Sequence, residues 1–216
     1  MLRKYKDYIL LLLLFLVIIF VSNISYFIMP SNIDINSITT DYTKNLEQEY
    51  NDLLKINELD YASNLNASIS RILYRDIYDY NNYITIYKGS NNNIKEDMIV
   101  VNNDGLVGVV VNVNKNNSVV RLITSKNSNI SVKINESFGI LKMSNGSLIV
   151  SEISNYDNIS VGDKIYTSGI GNLIGNIYIG EVSDIKLNNT NIEKIITVTP
   201  AVDFNNLKYI AVISYD

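Results

Sequence analysis

The first apolar block is continuous. From Ile9 to Val21 every residue is apolar, and the pattern resumes from Ile24 to Met29 around Ser25. Residues 8–29 span roughly 30 Å at about 1.5 Å per residue, which predicts a transmembrane helix. Arg3, Lys4 and Lys6 precede the block, and Lys44 is the first base after it. This asymmetry places residues 1–7 in the cytoplasm and everything after Pro30 outside the membrane. The rival is a cleaved signal peptide with Ile9–Val21 as its apolar region. "VSNISYFIM" lacks a small-x-small cleavage site, so an uncleaved anchor is the expectation.

The pattern then turns helical. Residues 34–75 contain neither Pro nor Gly, and Asp41 or Thr43 can cap a helix that has Glu47 and Glu49 early in it. Residues 30–76 therefore read as a helical stalk. Tyr42, Leu46, Leu53 and Ile56 follow a partial heptad and form a candidate dimer seam. Glu49 occupies an expected core position and Asp60 breaks the continuation, so a monomeric stalk and a short coiled coil both fit.

From Tyr83 onward apolar and polar residues alternate in runs of four to eight, separated by Asn-, Asp- and Gly-bearing turns. This is the signature of small sandwiches or barrels. The reading is an all-β extracytoplasmic body with a first β unit over 77–143 and a second over 144–216. The last strand, Tyr209 to Ser214, closes either the second unit or the first. Gly89 ends the strand "NYITIYKG", the Asp104–Gly105 pair suits a positive-φ turn, and Gly108 marks a bulge or a close backbone approach. Gly162 and Asp163 make another turn, Gly169 and Gly171 a tight turn between strands, and Gly175 and Gly180 a bend or bulge. A faint echo links "NIKEDMIVV" (93–101) with "NISVGDKIYT" (158–167), each leading into glycines.

Composition narrows the chemistry. The 216 residues include no His and no Cys, and the formal charge is −4. A Ser–His–Asp triad, thiolate catalysis and Cys-ligated metals are excluded. The absence of a basic cluster argues against nucleic acid as a partner. "YTSGIGNLIGNIYIG" imitates a dinucleotide fingerprint, but a β-like run follows its glycines where a helix is required. Ser168 has no His to activate it. A Ser–Lys dyad with Lys164 or Lys186 is the remaining nucleophilic option, and a turn role is the expectation. Asp157, Asp163, Glu181 and Asp184 lack the dense alternating oxygen ligands of a calcium loop. No catalytic residue, cofactor or metal is therefore assigned. A non-enzymatic interaction protein and a membrane-anchored extracytoplasmic enzyme remain as function classes, and the first is expected.

The order of motifs carries a resemblance. A strand ending Lys-Gly-Ser, the "GLVG" turn, a Leu-Ile-Thr strand, "FGIL", "GDKIYTSGIG", "IGEV" and "PAVDF" together resemble the rod-shape-determining protein MreC family. The chain departs from the family pattern in three places: its stalk is short with imperfect heptads, Lys142 stands where a small or acidic residue is usual, and Asn176 stands in a loop where a Phe-Pro-x-Gly is usual. The resemblance implies two small β-barrels behind an anchor and a dimerising stalk, and no enzyme activity. It implies a membrane scaffold that organises peptidoglycan synthesis during cell elongation. The partners it implies are a second copy, an elongation penicillin-binding protein, the membrane protein MreD and the MreB filament.

Overall fold

The structure is a computed structural model and describes residues 11–20, 44, 66–171 and 173–214. The chain separates into two compact units, Met1–Glu49 and Tyr50–Asp216. In the first, residues 11–20 are α-helical, and their apolar side chains are all exposed. Among the described residues no helix is long and apolar enough to cross a membrane. The remainder of the predicted 8–29 span lies outside the described residues, as do Tyr42, Leu46, Leu53 and Ile56 of the predicted seam.

Among its described residues the second unit is all-β apart from a single 3-10 turn at Ser90–Asn92. Its strands are β1 (Asn66–Tyr74), β2 (Tyr83–Ile86), β3 (Ile99–Val101), β4 (Leu106–Val113), β5 (Ser118–Leu122) and β6 (Asn129–Ile134). They continue with β7 (Ser137–Ser144), β8 (Ser147–Ser154), β9 (Lys164–Thr167), β10 (Tyr178–Leu187), β11 (Glu193–Pro200) and β12 (Tyr209–Ser214). Two closed barrels result, ordered β1-β12-β3-β4-β5-β2 and β10-β11-β8-β7-β6-β9. Among the described residues closure leaves no unpaired strand edge, which removes the usual route to edge-to-edge aggregation.

Local sequence explains most of these strands. β2, β5, β6 and β9 alternate buried and less buried positions, the period-2 pattern of a barrel wall. Ile84, Ile86 and Leu122 fill the first barrel, while Ile134, Ile165 and Ile179 fill the second, all at 0–1% exposure. Each such side chain contributes about 1.5–3 kcal/mol by burial. Asn–Gly at 145–146 has φ of 48° and 80° and joins β7 to β8 in a two-residue hairpin, the turn that matches strand twist. Asn135, with φ 53°, does the same work between β6 and β7.

Three expectations are corrected. The sequence pattern predicts Asn66–Tyr74 as the end of a helical stalk, but it is β1. Its lack of Gly and Pro suits a helix, yet antiparallel pairing with β12, from Asn66↔Ser214 to Arg71↔Tyr209, overrides that preference. The boundary at residues 143/144 also moves. β6 and β7 belong to the second barrel, and the crossing occurs at Ile123–Ser128, two overlapping turns that locally resemble a hairpin loop. The first unit accordingly does not start at residue 77: it includes β1 and is closed by β12, which lies between β1 and β3.

The sequence echo has a structural counterpart. The Asp97 N–H donates to the Val110 carbonyl, and the Val110 N–H donates to the Met98 carbonyl. In the second barrel the Gly162 N–H donates to the Val182 carbonyl, and the Val182 N–H donates to the Asp163 carbonyl. Asp97 and Gly162 both have positive φ, 66° and 92°, and Ile94 and Ile159 are the buried residues three positions before them. The same bonded turn thus leads into β3 and into β9.

Candidate interaction surface

The glycine-rich stretch after β9 is a lasso held by its own backbone and by Thr167. The Thr167 hydroxyl donates to the Ile174 carbonyl at 2.6 Å and accepts the Ile177 N–H at 2.9 Å. Gly169 and Gly175 face each other so closely that a Cβ on Gly175 would sit 3.1 Å from the Gly169 Cα. Asn176, one departure from the family pattern, has φ 65°, a conformation that Asn tolerates. Gly169 and Gly171 have φ of 76° and 84°. Ser168 donates its hydroxyl to the Ser131 hydroxyl at 2.8 Å and accepts the Ile170 N–H at 3.0 Å. Lys164 places its ammonium 5.9 Å from the Tyr178 ring centre, and Lys186 pairs with Asp184 at 3.1 Å. The Ser168 hydroxyl is engaged in tying strands together.

The other sequence-selected positions are dispersed. Gly89 precedes the 3-10 turn, where a Cβ would collide with the Asn114 carbonyl. Gly108 lies within β4 against the Arg121 carbonyl, and Gly162–Asp163 lead into β9. Gly180 sits at the bulge of β10 with φ 157°, against the Thr199 carbonyl. The carboxylates considered for calcium are separately engaged. Asp163 accepts from Asn135 and Ser160, Asp157 from the Ser154 N–H, and Glu181 from the Tyr178 hydroxyl. Among the described residues no group of three or more His, Cys, Asp or Glu is arranged to hold a metal.

Two other features stand out, one on the outer wall and one at the junction between the barrels. In the second barrel, registers align Phe138, Lys133, Tyr166 and Tyr178 in one row across β7, β6, β9 and β10. Lys133 lies 6.0 Å from the Phe138 ring centre, and the rings of Tyr166 and Tyr178 are 5.5 Å apart and tilted by 49°. Burial and the Glu181 carboxylate raise the Tyr178 hydroxyl above its ordinary pKa, so it stays a neutral donor. Such a row offers aromatic faces and ammonium groups to a partner but no acid–base pair to a reacting bond.

The second feature is the junction between the barrels. Asp104 and Gly105 turn tightly, with both N–H groups donating to the Asn102 side chain at 3.0 Å. Gly105, at φ 154°, lies against the Tyr178 carbonyl of the second barrel, and a Cβ there would approach within 2.4 Å. Arg75 reaches from the end of β1 to the Phe204 carbonyl in the strap that connects β11 to β12. It also donates to the Tyr80 carbonyl at 2.6 Å and stacks 3.5 Å over the Tyr80 ring. Burial lowers its pKa, and the Tyr80 side chain offsets part of that effect.

This architecture has known counterparts. The family described as rod shape-determining protein MreC, barrel core, matches residues 72–214. The chain belongs to the MreC family. Among curated relatives, it is 29% identical over 168 residues to the cell shape-determining protein MreC of Streptococcus pneumoniae and 28% identical over 188 residues to that of Listeria monocytogenes. These matches cover 72% and 78% of the chain but only 62% and 63% of the relatives' own lengths. A solved MreC of Listeria monocytogenes aligns over 85% of this chain and 96% of that one, with TM-score 0.67 and 22% identity. MreC in a solved complex of penicillin-binding protein PBP2 and MreC from Helicobacter pylori aligns over 69% of this chain and all of that one, with TM-score 0.55 and 18% identity. The motif order quoted from the sequence thus led to the right MreC core, while the roles of Thr167, inside one of those motifs, and of Arg75 escaped it. Thr167 ends an ordinary strand, and Arg75 falls in a stretch read as helix; only their distant partners reveal their roles.

Proposed function

We propose that the chain is a membrane-anchored scaffold of the bacterial cell-elongation machinery, which maintains cell shape by organising the enzymes of peptidoglycan synthesis. The observation that carries this reading is the pair of closed barrels, stitched by β12, within the matched MreC core. The Helicobacter pylori complex supports a penicillin-binding protein as one partner. The apolar helix at 11–20, behind Arg3, Lys4 and Lys6, supports a single-pass anchor with a cytoplasmic N-terminus and an extracytoplasmic body. In this reading the seam of Tyr42, Leu46, Leu53 and Ile56 pairs two copies, and MreD and the MreB filament connect the scaffold to the cell interior. The barrels act through their outer surfaces, because their interiors are filled with Ile, Val and Leu side chains.

The discriminating experiment pairs two assays on the full chain in detergent. Co-purification with an elongation penicillin-binding protein, without release of muropeptides from isolated sacculi, is expected. Muropeptide release by the chain alone, without any bound partner, would sink the scaffold and favour a wall hydrolase.

A further inference from the structure

The loop from Arg75 to Asn82, between β1 and β2, combines rigidity with exposed apolar surface. Asp76 accepts the Tyr78 N–H at 2.8 Å and the Tyr74 hydroxyl at 2.9 Å. The Asp79 carbonyl accepts the N–H groups of Asn82 and Tyr83, and its carboxylate accepts from the Asn82 side chain at 3.0 Å. Arg75 ties the loop to Tyr80 and to the strap at Phe204. From the barrel crossing, the Thr124 hydroxyl donates to the Asn81 carbonyl and the Lys126 N–H to the Asn82 side chain. The loop is held from inside, from the strap and from the crossing.

This framework holds Ile77 at 78% and Tyr78 at 91% exposure. Tyr74, whose hydroxyl bonds Asp76 of the loop, is itself 55% exposed. In the second barrel Val161 and Ile170 are exposed in separate loops, and Tyr156 and Ile192 are exposed on adjoining loops joined by the Asn155 N–H bond to the Ile192 carbonyl. Contiguous exposed apolar surface marks interaction sites, and Tyr is enriched where binding energy concentrates. An anchor already fixed by its own hydrogen bonds loses little further freedom on binding. Charge narrows the occupant. Arg75 is turned inward onto carbonyls, so the outward charges of the loop are the carboxylates of Asp76 and Asp79. They complement a basic surface and would be repelled by anionic lipid headgroups. The loop also lies a full strand from Asn66, about 30 Å for nine extended residues, and so away from the point where residues 1–65 join the barrel.

We propose that Ile77 and Tyr78 form a docking knob that inserts into an apolar socket, rimmed by Lys or Arg, on the penicillin-binding protein partner. This rests on the scaffold function proposed above. The knob belongs to the first barrel and is distinct from the Phe138–Tyr178 row of the second.

The test measures equilibrium binding of the full chain in detergent to a purified elongation penicillin-binding protein from the same host. Compared are the unaltered chain, the double variant Ile77→Ser/Tyr78→Ser, and Tyr156→Ser as an exposed aromatic control at 93% exposure. Circular dichroism checks that each variant keeps its β content. The double variant is expected to weaken binding about tenfold or more, the control is expected to leave it unchanged, and added salt is expected to weaken the unaltered complex. Tight binding by the double variant, with the unaltered chain also binding, overturns the knob and leaves the scaffold standing. No binding by the unaltered chain removes both. A loss of self-association in the double variant, with partner affinity intact, assigns the surface to a second copy and overturns the proposal.

Discussion

The two barrels share strand number, closure and lead-in turn, yet they are assembled differently. The second is one uninterrupted run, β6 to β11. The first holds β1 to β5 and takes its closing strand, β12, only after the chain has passed through the second barrel. Its closure therefore depends on long-range contacts and on a strap that starts from a folded neighbour. The difference teaches that the barrels are not two independent beads. The second can close from its own strands, whereas the first is completed by a strand that the second delivers.

The strongest way to break this asymmetry is to truncate the chain after Leu207. Without β12, β1 and β3 become open edges, and the buried Ile210, Ala211, Val212 and Ile213 are lost. The first barrel should lose on the order of 5 kcal/mol or more. Hydrogen exchange should then show β1–β5 unprotected while β6–β11 keep their protection; equal loss in both barrels would contradict the asymmetry.

A smaller perturbation tests the same direction of dependence. A Cβ at Gly108 or Gly180 would meet a backbone carbonyl at 2.1 or 2.2 Å, and neither carbonyl can move without disturbing a ladder. Gly108→Ala and Gly180→Ala should each cost about 2–4 kcal/mol. In denaturant, Gly108→Ala should destabilise the first barrel alone, and Gly180→Ala should destabilise both.

The paired lead-in turns allow a finer comparison. Asp97 and Gly162 occupy equivalent left-handed positions. Gly162→Ala should cost about 1 kcal/mol, because an L side chain is strained there and no neighbouring atom lies within 4 Å to add a clash. Asp97→Gly should change stability by less than about 0.5 kcal/mol, since relief of strain is offset by greater freedom in the unfolded chain. Thermal melts of the two variants check the ordering.

The smallest effect is acid sensitivity at Asp76 and Asp203. Both carboxyls sit below their ordinary value of 3.8, chiefly because they accept backbone N–H groups, from Tyr78 and Asn205 respectively. A depressed folded pKa contributes stability that is present above the unfolded value and is lost as pH falls through the folded one. Protection of the Arg75–Asn82 loop and the Ala201–Lys208 strap should therefore decline below about pH 3.8, with little change above it. Asp76→Asn and Asp203→Asn should flatten that decline in hydrogen exchange, each in its own segment.

Much of the β body was legible because its information is local. Alternation in "YITI" and "NISVKI" marks barrel walls, and "SNGS" specifies its own hairpin. Abundant Asn supplies left-handed turn residues at Asn93, Asn135, Asn145, Asn176 and Asn191. What was illegible depends on distant partners. β1 looks helical until β12 is beside it, and Ile123–Ser128 looks like a hairpin loop although it crosses between barrels. The candidate surface was less legible still. The glycine stretch drew attention as chemistry and proved to be a backbone lasso closed by Thr167. Ile77 and Tyr78 sit at a boundary between two pattern readings, where neither periodicity flags an exposed side chain.

The central functional claim is tested most directly by depleting the chain from growing cells of its own host and imaging new wall incorporation. The account predicts loss of normal cell shape with dispersal of wall synthesis, restored by the full chain. Unchanged shape and unchanged wall incorporation after complete depletion would contradict it.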